Sequence, residues 1–389
     1  MFSARTRWDR TPNRLSGLLE ARRRAGRPVL DLTESNPTRA GLTPGADVLA
    51  PLADAANLAY EPSPAGSRAA REAVAADFAR RSQRVEPDQL ILTASTSEAY
   101  SLLLKLLCDP GDVVLVPRPS YPLFDYLAQL EGVELARYPL SYDGSWHLSP
   151  ARLAEALPAR ARAVIVVNPN NPTGSFLARD EAAAVLELCA RRELALISDD
   201  VFADYSLRPD PARARWLAGD GPALAFSLGG LSKACGLPQL KLAWIAIFGP
   251  EAAREEARAR LEIIADTYLS VSTPVQHAAR SLLARIEELQ RPIRERVTAN
   301  HAALLRLTAG SVATPLDLAG GWYGVVRVPA SLSEEDRVCR VLERHGVLVH
   351  PGYFFDFESE AFLVVSLLTP REVFEAGVAR VIGDLDAAP

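Results

Sequence analysis

Between residues 113 and 248 the chain alternates short apolar runs with helical stretches, and this alternation restricts the fold more than any other feature. Val113–Val116, bounded by Pro110-Gly111 and Pro117, reads as a buried strand. Pro122–Leu130 reads as helix, Val133–Tyr138 as strand and Ala163–Val167 as another apolar run rich in valine. Arg179–Arg192 is an alanine- and leucine-rich helix, followed at once by the run Leu194–Ile197. Ala223–Leu228 and Leu242–Phe248 are two further strands. Continuous apolar strands separated by helices point to an α/β domain with a largely parallel sheet. From about Thr273 the character changes: helical segments over Pro274–Leu307 precede strands at Trp322–Val328 and Phe362–Leu367, which suggests a smaller α+β unit. The boundary is expected near Leu269–Pro274.

Composition narrows the function classes. Of 389 residues, 48% are apolar and 23% charged, the proportions of a soluble globular protein. A net charge of −5 argues against nucleic acid or an anionic membrane as partner. Arg5, Arg7, Arg10, Arg14 and Arg22 to Arg24 crowd the start, but Asp9 and Glu20 interrupt them and Leu15, Leu18 and Leu19 share one helical face. That is the pattern of a docked amphipathic helix rather than of an acid-poor transit peptide. No apolar run approaches the ~20 residues that span a bilayer, and no secretory signal is visible. Cys108, Cys189, Cys235 and Cys339 are widely spaced and read as reduced thiols of a cytoplasmic protein. The five histidines have no metal-ligand spacing, so no metal is expected.

Ligands of parallel sheets bind outside the carboxyl ends of the strands, and three segments stand there. Asn168-Pro169-Asn170-Asn171-Pro172-Thr173-Gly174 follows Ala163–Val167; its prolines and glycine make a rigid turn from which Asn171 can project an amide, although a plain turn uses the same residue types. Asp199-Asp200 ends the run Leu194–Ile197, and a carboxylate there is a ligand or merely a cap. Ser227–Trp244 places Lys233 and Lys241 in a glycine- and serine-rich loop between two strands. Arginine is abundant in this chain and lysine scarce. Keeping lysine here suits chemistry that needs a deprotonated amine, which arginine cannot supply.

Taken in order with Asn36-Pro37 and Tyr60-Glu61-Pro62-Ser63-Pro64-Ala65-Gly66, these segments resemble the class I/II aminotransferases, the fold-type I pyridoxal-phosphate enzymes, over nearly the whole chain. The resemblance implies pyridoxal 5'-phosphate as cofactor, with Lys233 as its Schiff-base lysine and the group that later moves the proton. It implies Asp199 on the pyridine nitrogen, Asn171 on the phenolic oxygen and Tyr121 against the ring face. The phosphate would lie on Thr93–Glu98, at Ser95, Thr96 and Ser97 where a helix begins, with Lys241 nearby. Tyr60 would reach the phosphate of a partner subunit, which implies a homodimer with shared sites. Asn36 would lie near the substrate carboxylate, and His350–Phe355 would line the substrate pocket, although its aromatics could equally be core of the small domain.

Four positions depart from the family pattern. Phe202 stands where a tyrosine usually donates to the phenolic oxygen, with Tyr205 as a candidate replacement. Ser95 stands in place of a glycine and Gly230 in place of a frequent serine. Val364 occupies the position of the arginine that clamps the substrate α-carboxylate, leaving Arg39 and Arg327 as candidate substitutes, or backbone N–H groups.

The expected architecture is α/β: a large PLP-binding domain over residues 46–272, and a small α+β domain built from an N-terminal arm (1–45) and residues 273–389. The expected activity is transfer of an amino group from an L-amino acid to a 2-oxo acid by a ping-pong mechanism. The alternative is a C–S lyase, decarboxylase or racemase on the same fold. An effector-sensing domain of a DNA-binding regulator is the remaining reading, and little chain precedes the pattern to hold a DNA-binding extension.

Overall fold

The computed structural model describes residues 1–219 and 221–387. In chain order the strands are β1 (Leu30–Asp31), β2 (Leu90–Thr93), β3 (Val113–Arg118), β4 (Glu134–Tyr142), β5 (Trp146–Leu148), β6 (Ala161–Val167) and β7 (Ala195–Asp199). They continue with β8 (Ala225–Gly230), β9 (Ala243–Phe248), β10 (Thr314–Pro315), β11 (Tyr323–Arg327), β12 (Val347–Leu348), β13 (His350–Pro351) and β14 (Phe362–Ser366). Eight of them form one sheet in the order β2-β9-β8-β7-β6-β3-β4-β5. The five strands from β8 to β4 are mutually parallel, while β9 and β5 run against their neighbours. The sheet is therefore largely parallel, as the alternation of runs and helices required.

Both faces of the sheet's central strands are buried, which is why β3 and β6 to β9 are nearly continuous apolar runs, whereas β4 carries Glu134 and Arg137 and is partly exposed. Side chains alternate across the sheet. Leu115, Val164, Val166, Leu196 and Trp244 pack on one face, with the helices Arg68–Arg80, Arg179–Arg191 and Thr273–Ala284. Val114, Val116, Ile165, Ile197 and Phe226 pack on the other, with the helices Thr96–Leu107, Leu123–Glu131 and Glu251–Asp266. The helix Thr273–Ala284 thus shares the core of the large sheet, so the expected boundary at 272 falls before an element that packs with what precedes it.

A second core gathers both chain ends. Leu15 and Leu32 pack there with Val338, Leu342, Val378 and Leu385, and Leu18 and Leu19 lie against it, so the arginine-rich N-terminal helix Arg14–Arg24 is docked. β1 pairs in parallel with β12, and a four-stranded sheet runs β10-β11-β14-β13. Among the described residues no helix is long and apolar enough to cross a membrane.

Candidate active site

The strand ends place the expected residues around one cavity. Tyr121 follows β3, Asn171 follows β6, Asp199 is the last residue of β7, and Lys233 follows β8 in the short helix Leu231–Ala234. Thr96 and Ser97 open the helix after β2. All of these, with Ser95 and Lys241, line a cavity of about 290 Å³.

Lys233 is held through its backbone. The Tyr205 hydroxyl donates to the Lys233 carbonyl at 2.6 Å, so Tyr205 is committed to the loop and does not replace the donor missing at Phe202. The Lys233 Nζ lies 4.8 Å from the ring centroid of Trp322 and 5.5 Å from that of Phe202. Burial lowers its pKa to about 8, with Asp199 pulling the other way. Burial likewise raises the pKa of Asp199, opposed by hydrogen bonds from Tyr100 and from the Val201 N–H and by the charge of Lys233. A lowered amine therefore faces a raised carboxylate, the kind of arrangement that marks reactive sites.

The asparagine loop divides its labour. Asn168 bonds the Ala214 carbonyl at 2.7 Å and accepts from the Leu177 N–H at 3.0 Å; Asn170 bonds the Pro119 carbonyl and Thr173. Asn171 makes no such bond, and its Oδ1 is buried without a partner among the described residues. Gly174 closes the loop at φ +66°, where a Cβ would lie 2.2 Å from the Gly320 carbonyl oxygen, so glycine is required twice over.

At the helix start Ser95 accepts from the Glu98 N–H at 3.1 Å, and its φ of −162° is ordinary extended backbone, so no glycine is needed there. Thr96 and Ser97 keep the N–H groups that a helix start leaves without an intrahelical acceptor. The glycine at 230 also has a local cause: a Cβ there would meet the Ala243 Cβ at 2.9 Å across the β8–β9 pair.

Other expected residues are not brought to the cavity. Arg327 is exposed at the far end of β11 from Tyr323, paired with Phe362. Arg39 is 69% exposed and ion-paired through its Nε to Glu34 at 2.9 Å. Asn36 spends its Oδ1 on the N–H and hydroxyl of Thr38, and the neighbouring Ser35 lines the wall instead. Tyr60 is 74% exposed on a separate groove with Glu98, Tyr268 and Leu269. Val364 has no exposure and packs against Trp146, Leu316, Val325, Phe355 and Phe357. The aromatics of 350–357 therefore divide, with Phe355 and Phe357 joining this apolar cluster. His350, the register partner of Val364, is pushed by burial to about 4 and is neutral at physiological pH.

The sequence reading missed Ser35, Tyr100, Phe124, Ser232, Trp322 and Tyr323. Tyr100 had a usable signal, since it lies four residues after Thr96 and so on the same helix face. Trp322 and Tyr323 carry only a strand signal in the sequence.

The chain matches the family described as "Aminotransferase class I and II" over residues 27–380. The chain belongs to the class I and II aminotransferases. An alanine aminotransferase of Mycobacterium tuberculosis is 28% identical over 305 residues, 75% of this chain and 70% of the relative. Human tyrosine aminotransferase is 32% identical over 235 residues, 58% of this chain and 50% of its own. Among solved structures, an alanine aminotransferase from Pyrococcus furiosus has the same fold over 100% of both chains, with a TM-score of 0.89 at 22% identity. Aminotransferases of this class depend on pyridoxal 5'-phosphate and pass an amino group from an amino acid to a 2-oxo acid by a ping-pong mechanism.

The residues present fit that cofactor. Asn171 lines the cavity with an amide that bonds nothing among the described residues, its Oδ1 buried, Thr96 and Ser97 offer helix-terminal N–H groups suited to a phosphate, and a lowered lysine faces a carboxylate across the cavity.

Proposed function

We propose that Lys233 is the lysine that carries the cofactor and that the cavity around it is the transamination site. The observation that carries this reading is that Lys233 lines one cavity with Asp199, Asn171, Tyr121 and the start of the helix at Thr96; burial there lowers its amine to about 8, so that it can be neutral and nucleophilic near physiological pH. The chain has three lysines: Lys105 is ion-paired to Glu131 at 2.5 Å away from the cavity, and Lys241 is exposed at its rim.

Pyridoxal phosphate, when bound, supplies a sink for the electrons left on the substrate Cα. The other tasks fall to the chain. Thr96, Ser97, the Ser95 hydroxyl and Lys241 would bind the phosphate, Asn171 would donate to the phenolic oxygen, and Tyr121 would cover one ring face. Asp199 would keep the ring nitrogen protonated. The free Lys233 amine would take the Cα proton and return it at the cofactor's C4′, across the substrate nitrogen, a task suited to a base whose pKa lies near the working pH. The substrate carboxylate lacks the strand arginine. With Arg39 exposed and ion-paired to Glu34 and Arg327 at the far end of its strand, backbone N–H groups of the cavity wall would be left to hold it.

A homodimer with shared sites is supported by an exposed apolar face: Tyr60 is 74%, Tyr268 53% and Leu269 39% exposed along one groove. A second copy on that face would bring its Tyr60 toward this chain's phosphate site. Four free cysteines among the described residues suit a cytoplasmic setting.

The test is chemical. The holoenzyme is reduced with borohydride, digested and mapped by mass spectrometry. The cofactor tag is expected on Lys233; a tag on Lys105 or Lys241 would overturn the assignment.

A further inference from the structure

Asp199 receives two hydrogen bonds from the described residues. The Tyr100 hydroxyl donates to its Oδ2 at 2.9 Å, and the Val201 N–H donates to its Oδ1 at 3.2 Å. Tyr100 belongs to the helix whose first residues, Thr96 and Ser97, face the cavity. Its ring is 4% exposed and packs edge-on against Phe124 at 5.3 Å between centroids, so the phenol has little freedom to leave the carboxylate. Burial and the nearby Asp199 charge hold the Tyr100 pKa well above its ordinary value, so the hydroxyl keeps its proton and remains a donor throughout the physiological range.

We propose that Tyr100 is a positioning residue that keeps Asp199 ionised and aimed, so that the proton shared with the cofactor's ring nitrogen stays on the ring. This rests on the assignment of Asp199 to that nitrogen. Burial pushes the Asp199 carboxyl toward its neutral form, whereas Tyr100, the Val201 N–H and Lys233 favour the anion. Asp200 adds a neighbouring acid on the next residue. A carboxylate that loses its strongest neutral donor becomes a stronger base and draws the shared proton toward itself. A ring that gives up that proton withdraws electrons less well, so the substrate Cα proton becomes harder to remove. One helix therefore serves the cofactor twice: its N-terminus at the phosphate, and its second turn, through Asp199, at the ring nitrogen.

The experiment uses the holoenzyme loaded with pyridoxal phosphate labelled with 15N in the ring and reads the ring-nitrogen signal by NMR. Tyr100→Phe removes only the hydroxyl. Its signal is expected to move toward the unprotonated position, with the half-reaction slowed about tenfold, the equivalent of one pKa unit lost from a charged hydrogen bond. Replacing Tyr100 by 3,5-difluorotyrosine keeps the shape and strengthens the donor, and should move the signal the other way. That variant decides the question alone if Tyr100→Phe does not fold. Loss of packing without loss of donation would leave the nitrogen signal in place and lower only cofactor affinity. Asp199→Asn separates the two assignments. If it moves the signal while both Tyr100 variants leave it at the wild-type position, the role of Tyr100 is overturned and that of Asp199 stands. If Asp199→Asn also leaves it unmoved, the Asp199 assignment itself fails.

Discussion

Asp200→Asn should stabilise the folded chain at pH 8 and leave it nearly unchanged at pH 4. Asp200 is 4% exposed. Its carboxyl accepts from the Ser198 hydroxyl at 2.7 Å and from the Ser227 hydroxyl, with no cation bonded to it among the described residues. Burial pushes its pKa from 3.8 to about 7; Asp199 adds to the rise, while the two serines and Arg81 oppose it. The folded state therefore holds this proton more tightly than the unfolded chain does. The stability it contributes is complete below about pH 4 and is lost as pH rises through about 7. A difference of about 3 pKa units at 1.36 kcal/mol each gives about 4 kcal/mol across that window. Asparagine resembles the protonated acid at every pH, so the variant should lack this decline. Urea unfolding of the apoprotein at pH 4, 6 and 8 measures it: the gap between variant and wild type should open from near zero to about 4 kcal/mol. Parallel curves at all three pH values would refute the argument, because they would mean that Asp200 ionises in the folded chain as it does in water.

Three further outcomes follow from the site. Loading of apoenzyme with pyridoxal phosphate should quicken as pH rises toward about 8 and then level off, because the Lys233 amine loses its proton there; a rate still climbing at pH 10 would place the reacting lysine elsewhere. Phe202→Tyr would add a hydroxyl on the cavity wall beside Lys233; it should lower by about one unit the pH at which the bound cofactor changes its absorbance, as a new charged hydrogen bond requires, and an unmoved transition would show that the ring does not face the phenolic oxygen. Arg39→Ala should leave KM for the amino acid unchanged, because Arg39 is exposed, paired to Glu34 and not part of the cavity wall; a rise of about tenfold, the size of a lost charge-assisted hydrogen bond, would show that it reaches the carboxylate.

Much of the site was legible because its residues follow strands whose apolar runs are unmistakable. Lys233, Asp199, Asn171 and Tyr121 each come directly after such a run, and parallel strands deliver their ends to one edge. The residues that the cavity does not gather are those whose place depends on how far a strand extends or which way a turn faces. Arg327 looked available because its strand was recognised, but it lies at the end of β11 away from Tyr323. Asn36 carried the right motif, yet its amide oxygen closes its own turn on Thr38.

What the sequence by itself determined is local and periodic: which runs are strands, which are helices, where a lysine or a carboxylate stands at a strand end, and that no arginine occupies position 364. These follow from apolar spacing and turn chemistry, which act over a few residues. What only the tertiary structure decided is pairing between distant segments. It showed that Tyr205 is spent on the Lys233 carbonyl, that Asn168 and Asn170 brace the loop and leave Asn171 free, and that Tyr100 bonds Asp199 across 99 residues of chain. It also showed that the vacated arginine position is filled by an apolar cluster from both parts of the molecule. Hydrogen bonds and packing of this kind depend on where folded elements meet, and no spacing along the chain encodes that meeting.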